Sequence, residues 1–161
     1  MREHLSQALS LAINKERRRV YANIEGCVMQ LNSSASLYER LGGEAGVRRL
    51  VDVFYDIVEG EAAGHDLNIL HLRGHGVAHS RIEQFNFLSG FLGGPRLYAE
   101  KHGHSNVRKM HEHVSINAHA RDSWLNCMDL ALDRCGTDTN TKDAVMAHFR
   151  SVAHVLKNRD E

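Results

Sequence analysis

Three histidines and one tryptophan carry the chemistry of greatest interest in this 161-residue chain. The stretch from Leu97 to His111 holds His102, His104 and, at its end, His111; Trp124 follows thirteen residues later. An imidazole closing one short basic turn, with an indole facing it from the next helix, can hold a metal-centred macrocycle between them. Taken alone, His111 fits a surface histidine in a polar turn equally well, because isolated histidines are common at partly exposed positions.

Composition narrows the classes without choosing a function. The length fits one domain able to bury a core and still leave room for a ligand. Twenty Lys plus Arg balance twenty Asp plus Glu, so the electrostatic grip on phosphate backbones that nucleic-acid binders use is not expected. Cys27, Cys127 and Cys135 are odd in number and lack CxxC spacing, and no basic-then-apolar leader or eighteen-residue apolar run is seen. These features predict a reduced, soluble, cytoplasmic protein. With Pro95 as the single proline and few β-branched runs, the chain reads as all-α.

The elements that must position those side chains follow from periodicity. Residues 1–35 carry Leu5, Leu9, Ala12 and Ile13 at helical spacing, then a charged run and a polar linker. They read as a helical extension whose short apolar stripe suits docking on a domain or partner helix better than a membrane surface. The domain itself is expected over 36–161. Ser36 and Glu39 have capping-box spacing before Gly42-Gly43. From Glu44 to Glu59 the positions Val47, Leu50, Val51, Phe54, Ile57 and Val58 recur at three and four, an amphipathic helix by period. Loop with one or two short turns is expected from Gly60 to Gly76. Further helices are expected over 77–92, stopped by Gly93-Gly94-Pro95, over 118–135, and from about Thr141. That makes five main helices.

Several motifs in this order resemble the truncated, two-over-two haemoglobins of the second group, over roughly residues 36 to 157. They are the Tyr-x-x-Leu-Gly-Gly start at Tyr38 to Gly43, the pair Phe54-Tyr55, and the Leu-Gly-Gly-Pro-x-x-Tyr turn at Leu92 to Tyr98. Gly103-His104, Arg108 to His111 and the Arg-Asp-x-Trp-Leu-x-Cys-Met string around Trp124 complete the set. The resemblance implies a two-over-two helical sandwich holding haem b, iron protoporphyrin IX, with His111 as the axial metal ligand. It places Tyr55, Gln84 and Trp124 as donors facing a bound ligand, through a hydroxyl, an amide NH2 and an indole N–H. A hydrogen bond to a partner carrying charge contributes about 1.5–3 kcal/mol, or one to two decades in ligand escape. Ser80 is expected at the pocket entrance, Phe87 and Phe91 along the porphyrin edge, and Tyr98 and Arg108 at the haem propionates, where Arg pairs bidentately with carboxylate.

The implied function is reversible binding of dioxygen and other diatomic ligands by a monomer or homodimer. Nitric oxide dioxygenase or peroxidase-like turnover is the alternative and would need an external reductase, since no dinucleotide motif is present. The chain departs from the family in places. Leu72 or Arg73 stands where many relatives pack an aromatic residue or histidine on the haem, and His113-Val114 replaces the usual Pro-Phe. Histidines 65, 71, 75 and 79 crowd one connection; they read as solvated side chains, with internal iron coordination as the lesser reading. Two rivals remain at this stage. One is a histidine-rich helical metal binder without haem, using His71, His75 and His79 or the pairs His102/His104 and His111/His113; the other is a plain helical interaction protein.

Overall fold

The computed structural model describes residues 35–159; the extension expected before them lies outside the described residues. Ser36 opens the first helix, α1 (Leu37–Arg40), with a complete capping box: its hydroxyl accepts from the Glu39 N–H at 3.2 Å and the Glu39 carboxylate accepts from the Ser36 N–H at 2.9 Å. Gly42 and Gly43 then take φ of +98° and +67°, which only glycine adopts freely, and turn the chain into α2 (Gly43–Gly60). A 3₁₀ turn (Ala62–Gly64) leads to α3 (His65–Arg73), followed by α4 (Val77–Phe91), α5 (Leu97–His102), α6 (Val107–Met110), α7 (Ala118–Arg134) and α8 (Thr139–Leu156). No strand occurs among the described residues, and no helix there is long and apolar enough to cross a membrane.

All five expected helices are present, with ends moved by no more than two residues. The stretch 60–76 differs from expectation. It contains a nine-residue helix, α3, which buries only Leu67 and therefore lacks the apolar stripe that would announce it.

Two long pairs, α2 with α4 and α7 with α8, are joined where α2 packs on α7. Their shared core is Val47, Leu50, Phe54 and Ile57 from α2, Met128 and Leu132 from α7, and Val145 and Phe149 from α8. Charged groups tie each pair from outside. Arg81 on α4 donates to Asp52, Asp56 and Glu59 along α2 at 3.0–3.1 Å, and Lys142 on α8 reaches Asp129 and Asp133 on α7 at 3.0 and 2.7 Å. Two sequence motifs interlock beside α4. The Tyr38 N–H donates to the Leu92 carbonyl at 2.8 Å, and the Tyr38 ring lies so close to Gly94 that a Cβ there would fall 2.5 Å from it.

Candidate functional site

A cavity of about 420 Å³ opens between α4 and the segment running from α6 through α7 to α8. Tyr55, Ser80, Gln84, Phe87, Phe91, Tyr98, His111 and Trp124 all line it, so eight of the nine residues singled out in the sequence meet in one space. Arg108 does not. It is exposed on α6, a helix that Asn106 caps by accepting from the Arg108 and Lys109 N–H groups. Arg121, at the start of α7, is the arginine in the cavity wall.

His111 sits at the C-cap of α6, a helix of four residues entered through Gly103 with φ of +73° and the Asn106 cap. Its Nδ1 donates to the Val107 carbonyl at 2.8 Å. A carbonyl only accepts, so the neutral ring keeps its lone pair on Nε2, the nitrogen left for the cavity. Burial pushes the His111 pKa down, helped by the neighbouring His113 and His71, against the pull of the Val107 carbonyl. The segment after His111 is held from the other end of the domain. The Asn158 side chain donates to the Val114 carbonyl and accepts from the Ile116 N–H, both at 2.9 Å.

The facing wall is built on α2, α3 and α4. The buried Tyr55 hydroxyl donates to the Gln84 side-chain oxygen at 3.0 Å. Burial pushes its pKa far up, more than the Ser80 hydroxyl and the Arg81 charge restrain it, so it stays a neutral O–H donor. The Gln84 amide nitrogen is buried without any hydrogen-bond partner. Such an orphaned donor costs about 1–3 kcal/mol unless a ligand supplies the acceptor. The indole of Trp124 packs edge-on against Phe149, centroids 5.2 Å apart, and lies 5.9 Å from the Phe54 ring. Phe87, Phe91 and Phe149 form a near-parallel run of rings, at 5.5 and 6.1 Å between successive centroids, which makes a flat apolar wall.

His71, expected to be a solvated side chain with iron coordination as the lesser reading, lies in the cavity wall. Leu72 is 67 % exposed and Arg73 is also on the surface, whereas His71, one position earlier, is half-buried in the cavity wall. Its Nδ1 donates to the Leu67 carbonyl at 2.7 Å, and its Nε2 lies 3.4 Å from the Tyr55 hydroxyl. Beside the crowding of histidines, the signal for its inward position was the four-residue interval from Leu67, the one buried residue of α3. At the mouth, Glu83 accepts from Lys101 at 2.6 Å and bonds His102 at 2.7 Å, and the His102 ring stands 4.3 Å from that of Tyr98. His75, His79 and His113 cluster at the rim with centroids 5.2 Å apart in each adjoining pair. Even so, no group of three His, Cys, Asp or Glu among the described residues is arranged to hold a metal ion, which weakens the histidine-only metal reading.

A neutral imidazole lone pair on one wall, an unsatisfied buried donor on another and a flat aromatic flank together fit an iron porphyrin. Comparisons with known proteins agree. Residues 36–158 match the bacterial-like globin family. The chain is 32 % identical over 124 residues to the group 2 truncated hemoglobin YjbI of Bacillus subtilis (strain 168), covering 77 % of this chain and 89 % of that protein. Among solved structures, the group II 2-on-2 hemoglobin of Agrobacterium tumefaciens superposes with a TM-score of 0.73 at 30 % identity, covering 79 % and 97 % of the two chains. The truncated oxygen-avid haemoglobin of Bacillus subtilis gives 0.68 at 30 % identity, covering 77 % and 100 %. The chain therefore belongs to the bacterial-like globins, within the group II truncated, two-on-two haemoglobins.

Proposed function

We propose that this chain binds haem b in the cavity between α4 and α7, where His111 Nε2 would hold the iron, and that it reversibly binds dioxygen there. The observation that carries the reading is the pairing, across one cavity, of an imidazole locked with its lone pair inward and the orphaned Gln84 amide nitrogen. A haem bound there would supply the iron that takes up a diatomic ligand. The protein's own groups do the rest.

Val107 fixes the His111 tautomer through the Nδ1 hydrogen bond, and Asn158 holds the segment beyond it. Gln84 Nε2 offers its hydrogen to a ligand acquiring negative charge, and Tyr55 orients that amide by donating to its oxygen. Trp124 adds an indole N–H from α7. Phe87, Phe91 and Phe149 exclude water, which strengthens each of these hydrogen bonds. Tyr98, His102 and Lys101 stand at the mouth around Glu83, where the propionates would meet polar and cationic side chains, and Arg121 in the cavity wall is a further cation for them. The oxygen avidity stated for the Bacillus subtilis relative supports the same ligand here.

The test is haem uptake followed by oxygen kinetics. Haem-loaded ferrous protein should show an intense Soret band. Tyr55→Phe and Trp124→Phe should each lose oxygen faster than wild type, by about tenfold for one charge-assisted hydrogen bond. Unchanged dissociation rates in both variants would remove these donors from the site.

A further inference from the structure

His71 and His111 come from different walls of the same cavity and are prepared in the same way. Each ring donates Nδ1–H to the carbonyl four residues before it, His71 to Leu67 at 2.7 Å and His111 to Val107 at 2.8 Å. In both neutral rings the lone pair is thereby left on Nε2, the state an axial iron ligand requires. The His71 lone pair is also uncommitted. One tyrosine hydroxyl has a single hydrogen to give, and Tyr55 gives it to Gln84 at 3.0 Å rather than to His71 at 3.4 Å.

Helix α3 fully buries only Leu67, is capped by Gly74, and is followed by Gly76 with φ of +84°. An element with a single fully buried side chain loses little when its end shifts. The other histidines of this stretch are worse placed. His65 is exposed and outside the cavity lining, while His75 and His79 are exposed at its rim with their rings against other imidazoles.

We propose that His71 is an internal sixth ligand for the haem iron, so that without external ligand the iron is held between His71 and His111 and a diatomic molecule must displace His71 to bind. This rests on the haem reading above. The step is lone-pair donation from Nε2, which carries no proton, so nothing is oxidised and no proton moves. On release, His71 returns to its place beside Tyr55, and the Tyr55–Gln84 pair is undisturbed throughout.

The experiment is absorption and electron paramagnetic resonance spectroscopy of the haem-loaded full chain, with carbon monoxide binding, on wild type, His71→Ala, His71→Gln and the rim control His79→Ala. Wild type and His79→Ala should show the sharp, split visible bands of low-spin six-coordinate iron. Both His71 variants should become high-spin, with free imidazole restoring the low-spin bands to His71→Ala. Apparent carbon monoxide affinity should rise about tenfold on removing His71, the factor for an internal ligand filling about nine tenths of the sites. High-spin wild-type spectra, or low-spin bands that persist without His71, overturn the proposal. A chain that takes up no haem overturns the haem reading itself, and is told apart by its missing Soret band.

Discussion

Tyr55 donates its hydroxyl hydrogen to the Gln84 side-chain oxygen, and in doing so turns the Gln84 amide nitrogen into a buried donor with no partner. An unsatisfied buried donor penalises the ligand-free state and is relieved only when an acceptor arrives. Gln84→Leu should therefore leave the unfolding free energy of the haem-free protein within about 1 kcal/mol of wild type, since the orphan disappears and the Tyr55 hydroxyl can donate instead to His71 Nε2, 3.4 Å away. In the haem-loaded protein the same change should raise the oxygen dissociation rate about tenfold. Stopped-flow dissociation and urea denaturation check the two halves separately.

The Arg81 guanidinium binds three carboxylates of α2 and lies 5.4 Å over the Tyr55 ring, so it ties α4 to α2 beside the site. Its carboxylate partners are half-exposed or more, which limits the strength of each pair. Arg81→Met should lower stability by about 1 kcal/mol at low salt, and by less at about 1 M salt, where screening removes most of the attraction. Equal losses at both ionic strengths would show that packing, not charge, carries the tie.

Acid should loosen the α4–α5 mouth through Glu83. Burial pushes this carboxyl up, but hydrogen bonds and charge from Lys101 and His102 outweigh it and hold the pKa below the usual carboxylate range. A depressed folded-state pKa gives stability that is fully present above the unfolded value of about 4.3 and is lost as pH falls through the folded value. Melting temperatures of wild type and Glu83→Gln should differ most at about pH 6 and converge below about pH 4. A gap that stays constant across that range would remove the ion pairs as its source.

Asn158, beyond the last helix, grips the strip that follows His111 through Val114 and Ile116. Asn158→Ala removes two hydrogen bonds of about 1 kcal/mol each. Haem transfer to an acceptor protein should become about fivefold faster or more, while the absorption spectrum of the loaded form stays that of wild type. A changed spectrum would mean that Asn158 alters ligation rather than retention.

Helix α2 was legible because its core-facing stripe of Val47, Leu50, Val51, Phe54 and Val58 repeats with the helical period, and α4 because Gly93-Gly94-Pro95 stops it. The Tyr38-to-Gly43 and Leu92-to-Tyr98 motifs were legible too, and the structure shows them to be one joint, with the Tyr38 ring seated on Gly94. Helix α3 was hidden because it presents one buried residue and no stripe. That concealment carried over to His71, since without a helix from Leu67 the four-residue step that turns His71 inward has no meaning. Arg108 is exposed on a four-residue helix while Arg121 lines the cavity from α7, a difference set by how the two helices pack. The Gln84 orphan and the Asn158 grip are products of packing between distant segments, and spacing along the chain does not encode them locally.

The most direct test is the haem content and Soret absorbance of His111→Ala, expressed and reconstituted beside wild type. Wild type should bind haem stoichiometrically, and the variant should lose the bound cofactor or hold it only with added imidazole. Full haem content with an unaltered spectrum in His111→Ala would contradict His111 as the residue that holds the iron.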